Sequence, residues 1–106
     1  MIVYVAGKIT GLHKTIYTTN FNYMEDKLLA LGFDTINPVR IINDSLPYDE
    51  IMKECFKLIE KADVIYFMSN WIDSEGAKKE YEYAKKLGKI IIKGGRKWEI
   101  FNLELL

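Results

Sequence analysis

The sequence has one cysteine, no net charge and no long apolar run, and each of these absences excludes a class of protein. Cys55 has no second cysteine with which to form an internal disulfide. Fifteen Lys and Arg balance fifteen Asp and Glu, so the charge gives no support for a polyanionic partner such as DNA. No apolar run approaches the roughly 20 residues that span a bilayer, and no secretory leader pattern precedes the first strand-like segment. We therefore expect a soluble, cytoplasmic protein that binds a small molecule or another protein, with no nucleic-acid or membrane partner.

Two common kinds of catalytic site are also missing. The GxxxxGK[ST] spacing of a triphosphate-binding loop does not occur, so a nucleoside triphosphate and magnesium have no specific support. The single histidine, His13, has no partner cluster and supports neither a metal site nor a Ser-His-Asp triad. The sequence therefore predicts no metal site.

What is present is an alternation of short apolar runs and helical periods. Apolar runs at residues 2–7, 33–39, 63–68 and 89–94 predict four strands. Apolar residues at helical spacing predict helices over residues 20–31, from Pro47 to about Lys61, and from Ser74 to a stop at Gly88. With 106 residues the chain is expected to form one domain, residues 1–106.

This order of elements predicts the fold class. Alternating strands and helices form a parallel sheet covered on both faces, and right-handed crossovers leave few ways to wind it. We predict a doubly wound, flavodoxin-like α/β fold of three layers, with a parallel sheet of about four strands in the order 2-1-3-4. In such a sheet a ligand is expected at the switch point, outside the carboxyl ends of the first and third strands. The loops after these two strands are therefore the candidate site.

The loop after the first strand, "GKITGLHKT", contains Gly7, Thr10 and Gly11. The glycines would let backbone N–H groups approach an anion closely, and the threonine would add a hydroxyl. The same residues are also ordinary turn residues. The loop by itself leaves both interpretations open.

The loop after the third strand, "SNWIDSEG", leads into a helix that carries Glu80. Ser74 is a plausible N-cap for that helix, and Gly76 lies one turn before Glu80 on the same side. The predicted inner face of this helix consists of Ala77, Tyr81, Ala84 and Leu87. A carboxylate near the positive end of a helix dipole would be held ionised, which suits a nucleophile. The alternative is that "KKEYEYAKK" is a solvated, charge-alternating face and Glu80 a surface residue.

Three blocks of sequence taken together resemble the nucleoside 2-deoxyribosyltransferase superfamily, and within it the small, mostly uncharacterised bacterial and phage branch. They are "YVAGKITG" at residues 4–11, "INP" at residues 36–38 and "ADVIYFMSNWIDSEGAKKEYEYA" at residues 62–84. The resemblance extends from residue 2 to about residue 92. Its last block is the most specific of the three.

The resemblance implies a function and a set of residues. Glu80 would be the nucleophile that attacks the anomeric carbon of a nucleoside or nucleotide, and Tyr4 would orient it. Water or a second base would then take the sugar, and no cofactor would be required. The ligand-binding residues implied are Gly7, Thr10, Gly11, Asn37, Trp71, Asp73, Ser74 and Gly76.

The sequence departs from the superfamily pattern at three positions. Cys55 stands where the transferases have a carboxylate that handles the base, and Ser74 stands where they have a sugar-binding aspartate, with Asp73 one position away. Lys8 replaces the usual proline. These departures leave a second class open, a non-catalytic nucleotide-binding protein that acts as a sensor or sequesters its ligand.

The aromatic content predicts self-association. Seven Tyr, five Phe and two Trp are many large side chains for one small domain. Trp98, Ile100, Phe101 and Leu105 have no place in a four-stranded core, and we expect some of them to meet a neighbouring copy. The prediction is a homodimer or larger homo-oligomer.

Overall fold

The computed structural model describes residues 1–95, which form a four-stranded parallel sheet with helices on both faces. The strands are β1 (Ile2–Ala6), β2 (Asp34–Ile36), β3 (Val64–Phe67) and β4 (Ile90–Lys93), paired in the order β2-β1-β3-β4. The helices are α1 (Lys14–Ala30), α2 (Pro38–Ile41), α3 (Tyr48–Lys61) and α4 (Glu75–Lys86), with a 3₁₀ helix over Ser69–Asp73. The predicted doubly wound, flavodoxin-like fold and its strand order are confirmed.

Alternate residues of the central strands supply the two halves of the core. Val3 and Val5 of β1 point to one face of the sheet, where Phe21, Met24 and Leu28 of α1 cover them. Tyr4 and Ala6 point to the other face, where they meet α3 and α4. Because helices cover both faces, β1 and β3 are apolar along their whole length.

Two local structures differ from the sequence prediction. Helix α1 begins at Lys14, six residues before its predicted start, because His13 Nδ1 accepts a hydrogen bond from Thr15 N at 3.1 Å and caps the helix. Its first turn is exposed and carries no apolar stripe, so periodicity could not show it. Strand β2 is also shorter than predicted, because Asn37 and Pro38 start the unpredicted helix α2 in its place.

The aromatic tail behind the oligomer prediction lies outside the described residues. Trp98, Ile100, Phe101 and Leu105 all fall beyond residue 95, so self-association stays a prediction that light scattering at micromolar concentration tests. Within residues 1–95, no helix combines the length and the apolar character needed to cross a bilayer.

Candidate functional site

Helix α4 turns Glu80 into the protein. Ser74 Oγ accepts a hydrogen bond from Ala77 N at 3.1 Å, which confirms the predicted N-cap. Ala77, Glu80 and Ala84 then face the core at helical spacing, and Glu80 is only 6% exposed. The interpretation of Glu80 as a solvated surface residue is therefore wrong.

The predicted inner face of this helix is correct for only part of its length. Ala77 and Ala84 are buried as expected, whereas Tyr81 is half-buried and Leu87 is exposed. The two alanines let the helix approach the sheet closely, and this approach brings the carboxylate rather than the larger apolar side chains onto the core.

Tyr4 of β1 is the hydrogen-bond partner of the buried carboxylate. Its side chain is 1% exposed, and its hydroxyl donates to Glu80 Oε2. Cys55 on α3 lies in the same buried core cluster as Tyr4, and its thiol is close enough to both Tyr4 and Glu80 to interact with them electrostatically. The structure thus brings together three groups from β1, α3 and α4 that are far apart in the chain. We call Tyr4, Cys55 and Glu80 the buried acid cluster.

Burial controls the protonation of this cluster. Removal from water raises the pKa of Glu80 to about 7, although the hydrogen bond from Tyr4 works in the opposite direction. Burial and the nearby Glu80 charge raise the pKa of Cys55 to about 12, and the same two causes hold the pKa of Tyr4 well above its usual value. The expectation that the helix dipole keeps Glu80 ionised is corrected, because desolvation outweighs it. Near neutral pH, Glu80 is the member of the cluster that titrates.

A cavity of about 280 Å³ reaches the buried acid cluster at Cys55. It lies between α1, α2 and α3, outside the carboxyl ends of β1 and β2. Its walls are mostly apolar, with Ile9, Tyr17, Val39 and Ile51 among them. This volume is just below the roughly 300–1,000 Å³ typical of a small-molecule site, so the cavity suits one flat ring with a small substituent and not a larger ligand.

The cavity lies to one side of the switch-point crevice that the sequence predicts. Between the loops after β1 and β3, Asn70 Oδ1 accepts a hydrogen bond from Lys8 N at 3.0 Å. A Cβ on Gly7 would lie 2.5 Å from Met68 Cε and 3.2 Å from Asn70 Oδ1, so a larger residue at this position would require those side chains to move. The side chains of Met68 and Asn70 therefore lie close to Gly7, between these two loops.

Lys14 and Asp44 form an ion pair among the polar residues that line the cavity. Lys14 Nζ lies 2.7 Å from Asp44 Oδ2, and the two side chains are 69% and 52% exposed. Thr18 also lines the cavity, and its hydroxyl is shielded from solvent without a hydrogen-bond partner among residues 1–95. Sequence reasoning missed all three residues, because no periodicity or motif connects the start of α1 with the loop before α3.

The side chain of Asn37 makes hydrogen bonds within the protein. Its amide nitrogen donates to Asn22 Oδ1 at 3.0 Å and to Glu25 Oε1 at 3.2 Å, and its Oδ1 accepts from Val39 N at 3.1 Å. The side chain is 1% exposed and does not line the cavity. Neighbouring protein groups therefore occupy both amide protons and the oxygen of Asn37.

The other residues predicted to bind ligand lie apart from the cavity. Trp71 packs on Phe67 and Tyr81, with ring centroids 5.4 and 4.9 Å away, so its ring faces belong to an intramolecular aromatic cluster. Asp73 is exposed, and Gly76 lies where a Cβ would be 3.4 Å from Met52 Sδ at the start of α3. Thr10 and Gly11 are exposed in the first loop. Among the described residues, no group of three or more His, Cys, Asp and Glu is placed to hold a metal ion.

Fold and site together define a class of protein. The doubly wound parallel sheet carries a buried, tyrosine-bound carboxylate and a neighbouring cavity at its carboxyl edge, which is the plan of a flavodoxin-like α/β protein with a candidate ligand site. The chain belongs to the family described as Domain of unknown function (DUF4406), which it matches over residues 1–93. The match includes all four strands and both Tyr4 and Glu80. A comparison with curated proteins found no match.

Proposed function

We propose that this protein acts on the N-glycosidic bond of a nucleoside or nucleotide, as a transferase or hydrolase, with Glu80 as the nucleophile. The observation that carries the proposal is the hydrogen bond between two deeply buried side chains, Tyr4 and Glu80, in a cluster whose third member, Cys55, lines a ring-sized cavity. Burying a carboxylate to this degree lowers the stability of the fold, and proteins typically retain such groups where they have a function. The sequence resemblance supports the same assignment, and with it a place for the family among the nucleoside 2-deoxyribosyltransferase-like proteins.

The chemistry follows from the protonation of Glu80. In its ionised form the carboxylate attacks the anomeric carbon, the bond from that carbon to the base nitrogen breaks, and the electron pair leaves with the base, which takes a proton from solvent. The product is a glycosyl ester on Glu80, which water or a second base then cleaves at the same carbon. The hydroxyl of Tyr4 fixes the orientation of the carboxylate and favours its ionised form.

The electrostatics of the site suit this reaction. Among residues 1–95, no cationic side chain contributes to the pKa of Glu80, which depends on burial and on Tyr4. An unneutralised carboxylate in a poorly solvated site stabilises positive charge that develops on the sugar in the transition state. The site therefore favours an oxocarbenium-like transition state over the neutral ground state.

A test of the function compares Glu80→Gln with an exposed control on the same helix, Glu82→Gln. Each full-length protein is incubated with a panel of deoxynucleosides and their 5′-monophosphates, and free base is measured by liquid chromatography. We expect wild type and the control to release base from at least one compound and Glu80→Gln to release none while still binding it. Undiminished release by Glu80→Gln would show that the nucleophile is wrongly assigned.

A second candidate function is binding without catalysis, as a sensor or sequestering protein. The observation that favours it is Cys55, whose thiol has a pKa of about 12 and cannot act as an effective acid toward a departing base. Wild-type protein that binds a nucleotide and never releases base, even at long incubation, would select this alternative. In that case Glu80 accepts a hydrogen bond from a sugar hydroxyl.

A further inference from the structure

The ion pair between Lys14 and Asp44 joins two separate parts of the cavity wall. Lys14 is the first residue of α1, and Asp44 lies in the loop between α2 and α3, so the pair connects segments 30 positions apart. Both side chains line the cavity and both remain more than half exposed to solvent. The pair therefore lies where the cavity opens to solvent.

The positive and the negative charge at this opening pair with each other. Of the described residues that line the cavity, Lys14 is the one cation and Asp44 the one carboxylate, and most of the remaining wall is apolar. Their hydrogen bond raises the pKa of Lys14 and lowers the pKa of Asp44, so both are charged at neutral pH. Exposed pairs of this kind contribute little to stability, so separating them to bind a third charged group costs little.

We propose that the Lys14–Asp44 ion pair, called the latch below, opens when a ligand phosphate replaces Asp44 and so selects a nucleoside 5′-monophosphate over the neutral nucleoside. The ring of the ligand enters the apolar cavity, its phosphate replaces the Asp44 carboxylate at the Lys14 ammonium, and Asp44 turns to solvent. A phosphate offers more charge and more acceptor oxygens than the carboxylate it replaces. This inference rests on the proposed function for the identity of the ring, although its test measures binding and not base release.

Substitutions of the two latch residues should change the affinity for a monophosphate in opposite directions. Lys14→Gln removes the phosphate partner, so it should weaken binding of a monophosphate about tenfold or more and leave its nucleoside unaffected. Asp44→Asn removes the competing anion, so it should strengthen monophosphate binding several-fold. If the ion pair served only to hold the cavity in shape, both substitutions would weaken the binding of both ligands.

The experiment is isothermal titration of the full chain with a deoxynucleoside, its 5′-monophosphate and inorganic phosphate as three separate probes. All variants carry Glu80→Gln so that no ligand is consumed, and Lys53→Gln is the matched control because Lys53 forms an exposed ion pair with Glu50, away from the cavity. Added salt should weaken the binding of the monophosphate and not that of the nucleoside, because salt screens exposed charges.

Three results would overturn the latch. The first is an unchanged ratio of nucleoside to monophosphate affinity in both variants, and the second is a loss of monophosphate binding in Asp44→Asn. The third is inorganic phosphate that binds as tightly as the monophosphate, which would make the opening a simple anion site. The single variant Lys14→Gln, with Glu80 intact, is assayed separately for base release; release at the wild-type rate, together with the first result, refutes the latch and leaves the proposed function standing.

Discussion

Substituting Glu80 with glutamine should stabilise the folded protein at neutral and alkaline pH. Burial raises the pKa of this carboxyl to about 7, against an ordinary value of 4.5. At about 1.4 kcal/mol for each pH unit between those values, the ionised carboxylate costs the fold about 3 kcal/mol. Glutamine has nearly the same shape and keeps an oxygen that can accept the Tyr4 hydrogen bond, but it never carries the charge.

The sign of the pH dependence follows from proton binding. Between pH 4.5 and 7 the unfolded chain has lost the Glu80 proton while the folded chain still holds it, so the wild-type free energy of unfolding falls as pH rises through this interval. Above pH 7 both states are ionised and the cost is constant. The advantage of Glu80→Gln should therefore be small at pH 4.5 and reach about 3 kcal/mol by pH 8.

Urea unfolding followed by circular dichroism measures this advantage. Wild type, Glu80→Gln and the exposed control Glu82→Gln are compared from pH 4.5 to 8, and other titrating groups cancel in the difference between proteins. The control should follow wild type at every pH. A difference between Glu80→Gln and wild type that does not change with pH, or that shrinks as pH rises, would refute the assignment of a raised pKa to the buried carboxyl.

Three further substitutions test other contacts of the site. Tyr4→Phe removes the hydrogen bond that favours ionised Glu80, so the pKa of that carboxyl, measured by carbon NMR, should move above 7; an unchanged or lower value contradicts the contact. Thr18→Val replaces a buried hydroxyl that has no hydrogen-bond partner among residues 1–95 and should stabilise the ligand-free protein by about 1 kcal/mol in urea unfolding. A loss of stability would show that the hydroxyl has a partner after all. Asn37→Ala leaves buried neighbours unpaired and should cost about 2 kcal/mol in the same assay, whereas a neutral result would contradict its structural position.

The sheet was predictable from the sequence because its determinants are local and few. Four short apolar runs separated by helical periods admit only a small number of right-handed windings, and the order β2-β1-β3-β4 is one of them. The rotation of α4 was less predictable. A periodicity argument places Leu87 inside and gives no reason to bury Glu80, because the reason is Tyr4, which lies 76 positions earlier in the chain.

The cavity was not predictable from local patterns. It depends on α2, whose start at Pro38 looked like the end of a strand, and on Asp44, which belongs to an unremarkable polar loop. The contact between the loops after β1 and β3 depends on how the Met68 and Asn70 side chains lie beside Gly7. Each of these features depends on contacts between residues far apart in the chain, and no local sequence pattern marks those residues.

The first strand of the chain is also the centre of the sheet, and this affects how the protein is made. During synthesis, Val3 can pair with Thr35 early, but its other neighbour, Val64, is added only 61 positions after it. Until then one apolar edge of β1 stays open, which exposes the nascent chain to misassociation and to chaperones. Such distant pairings also slow folding. Tyr4 meets Glu80 only after α4 has emerged, so a stalled or truncated chain presents the open edge without ever assembling the site.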